Sequence, residues 1–223
     1  MKLLCFLFFL VVSQCTMAQI KVVKLDSASV PKFAKYKGSI DTAVRYWDKD
    51  GEHVFIASED EKDDTTELVM EKADGKGDST SVGTSDTRSA YLYAYNYLIT
   101  GKTAKLLWQM QDFVEECGED VTAYFLPAIF AVTDLDHNGQ AEVWLMYKLN
   151  CAGDVSPVTM KVIMHQGTQK YAMRGDTKVI INGRNYGGGT YTFDEAFNKA
   201  PESFKEHARL LWKKNLMEHF QQQ

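Results

Sequence analysis

The sequence predicts an α+β protein, mainly an antiparallel β meander that ends in a C-terminal amphipathic helix. Three observations predict it. Short runs in which apolar and polar residues alternate, rich in Val, Ile, Thr and Tyr, recur along the chain with turn residues between them. Neither a βαβ pattern nor a helical repeat breaks the series. One stripe at helical spacing, Phe204, Ala208, Trp212, Leu216 and Phe220 with Leu211 beside it, follows Pro201, which suits a first helical position.

Met1-Lys2, the apolar run Leu3 to Val12 and the small residues before Gln19 read as a secretory signal peptide over 1–18, cleaved after Ala18. Lipoprotein processing at Cys15 is the lesser alternative, because Gln14 is bulky where such sites want a small residue. Residues 19–223 then form a single β-rich domain, below the size at which one core stops growing, roughly 250–300 residues. Thr42 to Trp47 and His53 to Ser58 flank Asp48-Lys49-Asp50-Gly51, a hairpin with an Asp-Gly turn. From Glu59 to Ser89 the chain is polar and rich in Ser, Thr and Gly, and is expected to be a long loop or irregular edge strand. Tyr91 to Ile99 and Lys105 to Val114 form a second hairpin around Gly101-Lys102. Strands are expected at 128–133, 143–149, 159–165, 170–174, 178–181 and 190–193, the later ones around Gly187-Gly188-Gly189, and the helix at about 201–220.

Composition narrows the function. With 45% hydrophobic and 25% charged residues and 4 prolines, the chain is an ordinary globular one, which excludes collagen, coiled-coil and wholly disordered forms. Removing Lys2 with the signal peptide leaves 24 basic against 30 acidic residues, so nucleic acid and anionic membrane surfaces are not the expected partners. No apolar run of the mature chain is long enough for a transmembrane helix. Cleavage also removes Cys5 and Cys15. The remaining pair, Cys117 and Cys151, is expected to form a disulfide in an oxidising compartment.

The strongest chemical signal is Asp134-Leu135-Asp136-His137-Asn138-Gly139-Gln140-Ala141-Glu142. Oxygen side chains at its first, third, fifth and ninth places, with Gly at the sixth, match the first nine places of a calcium loop. Asp134, Asp136 and Asn138 would offer side-chain oxygens, Gln140 its carbonyl and Glu142 a carboxylate, to a structural Ca²⁺. The twelfth place is Leu145 and the flanks are strands, so this is not an EF-hand. The alternative is an ion-free turn held by Asx hydrogen bonds.

The nine-residue loop between strands resembles those of FG-GAP and VCBS-type β repeats. The wider segment Val132 to Lys148, with Cys151 to Pro157 and Lys170 to Gly175, resembles a family of exported proteins of Bacteroidetes-type bacteria catalogued under surface polysaccharide biosynthesis. The resemblance runs from about Lys35 to Trp212. It implies a periplasmic or cell-surface protein of the cell envelope that deals with surface glycan or other envelope proteins, and it carries over no catalytic residues.

Tyr91, Tyr93, Tyr95 and Tyr97 share one face of a strand and form a candidate glycan platform, although strand aromatics more often pack. At least two of them are expected to be buried, with any glycan contact nearer the Asp134–Glu142 loop. Glu115, Glu116, Glu119 and Asp120 surround Cys117, and a hydrolase could use two such carboxylates, but a solvated acidic loop is the simpler account. The competing function is a polysaccharide-modifying hydrolase or lyase that uses the calcium loop and the acidic residues near it. The histidines form no zinc pattern, and no nucleophile elbow or P-loop occurs. Arg174-Gly175-Asp176 spells an adhesion tripeptide, but its first two residues belong to the family-like segment. A non-catalytic protein is therefore the leading expectation.

Overall fold

In the computed structural model of the chain, residues 20–70 and 81–218 are described. The expected signal peptide with Cys5 and Cys15, the centre of the expected polar loop and Phe220 lie outside them. The first half is one antiparallel sheet in chain order: β1 (Lys21–Leu25), β2 (Ser39–Asp48), β3 (Gly51–Met70), β4 (Ser81–Thr100) and β5 (Thr103–Cys117). The second half contributes β6 (Val121–Phe125), β7 (Ala131–Thr133), β8 (Glu142–Cys151), β9 (Thr159–Gln166) and β10 (Gln169–Asp176). A two-stranded hairpin follows, β11 (Lys178–Ile181) and β12 (Arg184–Gly188), and then β13 (Tyr191–Phe193). The second sheet has the order β13-β10-β9-β8-β6, with β7 also pairing β8. Helices α1 (Glu195–Lys199) and α2 (Glu202–Asn215) complete the α+β plan.

The two sheets pack face to face. Val44, Tyr46, Phe55, Leu92, Trp108 and Met110 of the first meet Val143, Leu145, Tyr147 and Ile163 of the second, all buried. The outer face of the second sheet carries the helices, where Trp144, Met160, Met164 and Met173 lie under Phe197, Phe204, Ala208 and Trp212. The helical stripe read from the sequence is thus the buried one. On the outer face of the first sheet lies the irregular segment between β1 and β2, whose Val30 and Ala34 bury against Ala43, Ile56 and three of the tyrosines. Each sheet therefore has a cover on its far side, which satisfies two sheets that are apolar on both faces.

Several expectations need correction. Where the polar stretch 59–89 is described it is strand: β3 runs on to Met70 and β4 begins at Ser81, paired from Glu59↔Leu92 to Met70↔Ser81. Past Glu59 the partner β2 has ended, and before Arg88 β5 has not yet begun, so the hairpin continues as a two-stranded ribbon. Backbone pairing holds it, and Glu61 to Thr65, all exposed, display no apolar alternation. In the first hairpin Asp48 pairs with Gly51, so the two-residue loop is Lys49-Asp50 and Gly51, at φ +129°, follows it. The expected strand 128–133 is a 3₁₀ turn, Pro127–Ile129, followed by the short β7. Two of the three consecutive glycines, Gly187 and Gly188, lie in β12 rather than in a loop. Helix α2 stops at Asn215, because the chain then turns to bridge β11: Lys178 donates its amide to Leu216 at 2.7 Å and accepts from that of Glu218 at 3.2 Å. Among the described residues no helix is long and apolar enough to cross a membrane.

Candidate metal centre

The loop between β7 and β8 is shaped by its own side chains. Asp134 accepts the Gly139 amide at 3.1 Å, Asp136 accepts the Asn138 amide at 3.2 Å, and Asn138 accepts the Gln140 amide at 2.7 Å. The last two are Asx contacts, made with the amide two residues ahead, while Asp134 reaches across the loop to an amide five residues on. The tight course needs left-handed backbone at His137, φ 58°, and at Gly139, φ 80°. Glycine supplies the second at no steric cost.

The loop turns its acids toward one another. Carboxylate oxygens of Asp134, Asp136 and Glu142 lie within 4.8 Å of one another, a group that could hold a metal ion. Glu142 opens β8 and is fully buried. Its carboxylate accepts from the Thr133 hydroxyl at 2.6 Å and the Leu135 amide at 2.9 Å, and Thr133 is itself held by the Trp144 indole N–H at 2.8 Å. Burial raises the Glu142 pKa above the usual carboxylate range, the hydrogen bonds from Thr133 and Leu135 opposing it and the nearby Asp136 charge adding to it. Asn138 is tied to the group through its amide, 2.8 Å from Asp136. The Gln140 side chain turns away and donates to Asp50 at 2.5 Å.

Sequence spacing missed the neighbours that come from afar. Gln166, at the end of β9, donates to Asp136 at 3.1 Å and Glu142 at 3.4 Å. The β2–β3 turn docks on the loop: the Lys49 amide donates to the Gly139 carbonyl at 2.8 Å, the Lys49 ammonium to the Asn138 carbonyl at 3.3 Å, and the Ala141 amide to Asp48 at 3.0 Å. The acid group thus stands where the first sheet is fastened to the second. Nothing local to positions 134–142 signals this.

The other candidates separate. Cys117 at the end of β5 and Cys151 at the end of β8 form a disulfide with Cα atoms 5.7 Å apart, a second fastening between the sheets. Tyr93, Tyr95 and Tyr97 are buried beneath the segment that precedes β2, so they are no open platform. The Lys37 amide donates to the Tyr95 hydroxyl at 3.3 Å, and the Tyr97 hydroxyl donates to the Lys35 carbonyl. Tyr91 continues the stack, 6.3 Å from Tyr93, but emerges from under that cover beside Phe113, which is 47% exposed. Of the acids around Cys117, Glu115 accepts the Tyr91 hydroxyl at 2.9 Å. Glu119 lines an open cleft of about 320 Å³ with Asp63, Asp64 and Asp86, while Glu115, Glu116 and Asp120 are not in its lining. No family model, no curated protein and no solved structure matches the chain.

Proposed function

We propose that this chain is an exported, non-catalytic cell-envelope protein that works with surface polysaccharide, and that Asp134, Asp136, Asn138 and Glu142 hold a structural Ca²⁺. The observation that carries the reading is the position of the acid group. Its carboxylates converge within 4.8 Å, and they do so at the seam where Asp48 and Lys49 fasten one sheet to the other. A hard oxygen set of this kind suits Ca²⁺. An ion there would neutralise charges that otherwise repel and lock the seam; its role is to hold structure. The disulfide supports export, since such bonds persist in oxidising compartments.

Support for a glycan partner comes from the resemblance of the Val132–Lys148 segment and from the exposed end of the aromatic stack. Tyr91 and Phe113 are cross-strand partners with ring centroids 6.0 Å apart, flanked by the Lys62 ammonium, 5.2 Å from the Tyr91 ring, and by Glu115. An apolar ring pair edged by hydrogen-bonding groups is the chemistry a sugar ring meets well. The test of the calcium reading is thermal melting with Ca²⁺ and with a chelator. At about 100 times its dissociation constant, an ion bound only by the folded state stabilises it by roughly 2.7 kcal/mol. Identical melting in the two conditions overturns the reading.

A further inference from the structure

The second sheet is wider than the first on one side, because β5 is the edge strand of the first sheet while β9, β10 and β13 continue past β8. Residues on the inward face of that overhang can be followed by register. Tyr147 of β8 stands opposite Lys161 of β9, Lys161 opposite Arg174 of β10, and Arg174 opposite Thr192 of β13. Two places along β10 on the same face, beyond Ala172, comes Lys170, opposite His165. Three cations therefore share one face of two strands, with Lys170 and Arg174 four residues apart on β10. Lys161 and Arg174 are directly opposed, with Cβ atoms only about 5 Å apart, so like charge is concentrated there.

Only one of the three is neutralised. Lys161 donates to Asp112 of β5 at 2.6 Å, and the same carboxylate oxygen accepts the Tyr147 hydroxyl at 2.7 Å. Lys170 and Arg174 are exposed, and among the described residues neither has an ion-pair partner. Asp194 is no substitute, since its carboxylate accepts the amides of Ala172 at 3.0 Å and Phe197 at 2.8 Å. Partial desolvation against the sheet, and then the Arg174 charge, hold Lys170 below the usual ammonium pKa. Behind Lys170 the His165 ring, 4% exposed, stacks on Trp108 at 3.9 Å with both nitrogens lacking a partner. In a chain with an acidic excess, a ledge of crowded cations with so little countercharge is a feature that a bound anion would complete.

We infer that the ledge formed by Lys161, Lys170 and Arg174 binds an anionic group, the carboxylate of an acidic polysaccharide. The anion chemistry stands on the ledge alone; the polysaccharide source rests on the function proposed above. It is favoured by β5, whose Phe113 faces outward in the aromatic pair while the adjacent Asp112 faces inward at the ledge, so a chain of sugars crossing this edge meets both. A planar Arg fork and a Lys point charge are both suited to carboxylate.

The experiment titrates the full protein with polygalacturonate, with uncharged dextran and with inorganic sulfate. It is repeated on the double variant Lys170→Gln/Arg174→Gln and on the charge-preserving Lys170→Arg. Both residues are exposed, so melting of the variants is expected to match the parent. The expected result is polygalacturonate binding that sulfate competes away, weakened about tenfold or more in the double variant, and retained in Lys170→Arg. Any dextran binding should be indifferent to the double substitution. Binding of sulfate without polygalacturonate keeps the anion site and overturns the polysaccharide source. Anion affinity unchanged in the correctly folded double variant, or no binding of either anion, overturns the ledge; dextran binding that still depends on Phe113 would then leave the wider glycan reading standing.

Discussion

Asp48, in the turn of the first hairpin, accepts the backbone amide of Ala141, beside the acid group of the second sheet, at 3.0 Å. Its other oxygen meets His53 Nε2 at 2.9 Å, and both side chains are only 3% exposed. One carboxylate thus closes the turn, accepting the Asp50 amide at 2.8 Å, and ties the two sheets together. Burial works against its charge, but the His53 and amide hydrogen bonds outweigh that and hold its pKa below the ordinary value. The tie is therefore present above the ordinary carboxylate pKa, about 3.9, and is lost as pH falls through the lower folded value. Asp48→Ala leaves the Ala141 amide and His53 without their acceptor and is expected to cost about 3 kcal/mol. Asp48→Asn, which keeps an acceptor oxygen, should cost less. Urea denaturation of the two variants checks the order; equal losses would mean that the acceptor is not what matters.

Glu142 separates a metal ligand from a buried structural acid. Glu142→Gln keeps the volume and most hydrogen bonding to Thr133 and Leu135 while removing the charge that burial opposes. In chelator the variant should be at least as stable as the parent, because a buried charge is expensive without a partner. In Ca²⁺ it should lose most of the parent's gain. A full calcium response retained by Glu142→Gln would remove Glu142 from the ligand set.

The Cys117–Cys151 bond closes a span with a sequence separation of 34. A loop of this size is worth about 3 to 4 kcal/mol, mainly through the unfolded chain. Intact mass before and after reduction and alkylation establishes the bond, and the urea midpoint of Cys117→Ala/Cys151→Ala measures its worth. Two thiols alkylated without reductant would refute it.

What the sequence made legible was local. The Asp134, Asp136 and Glu142 carboxylates converge because their spacing within one turn dictates it, and the cysteine pairing was readable because an expected signal peptide would leave only Cys117 and Cys151. The helix was legible because Phe204, Ala208 and Trp212 repeat at its period, and it stops short because Leu216 hydrogen-bonds to Lys178, a contact no periodicity encodes. Gln166, Asp48 and Lys49 reach the loop only through tertiary docking. The ribbon beyond Glu59 was missed because Glu61 to Thr65 are all exposed, so alternation had no core to report there. The cationic ledge was equally invisible, since Lys161, Lys170 and Arg174 come together only through strand register.

The tyrosine row should divide between its first and second rings. Tyr93 and Tyr95 are 5% and 7% exposed beneath the segment carrying Val30 and Ala34, so Tyr93→Ala and Tyr95→Ala should each cost about 3 to 5 kcal/mol. Tyr91 and Phe113 lie at the open end. Phe113→Ala should change stability by less than about 0.5 kcal/mol and weaken glycan binding. Melting and glycan titration on the same proteins decide it. A Phe113→Ala protein that binds as the parent does would remove the aromatic pair from the glycan site.

His165 sets an acid limit on stability. Burial, and then the positive charge of Lys170, push its pKa down to about 3. The ring is 4% exposed and stacked on Trp108, with no hydrogen-bond partner among the described residues to share a proton's charge. Above the unfolded pKa of about 6.5 the ring is neutral in both states and contributes no pH dependence. As pH falls below that value the unfolded chain takes up a proton that the folded protein refuses, so stability declines, and the decline ends only near the folded pKa. At about 1.4 kcal/mol per pH unit, acidification to pH 5 should cost about 2 kcal/mol from this one side chain. The substitution that tests it is His165→Phe, which keeps an aromatic partner for Trp108 and cannot titrate. Urea denaturation of parent and variant between pH 7 and pH 5 should show the parent losing about 2 kcal/mol more than the variant. Parallel pH profiles would mean that the folded protein accepts the proton on His165, and that the space between Trp108 and the ledge is open enough to solvate it.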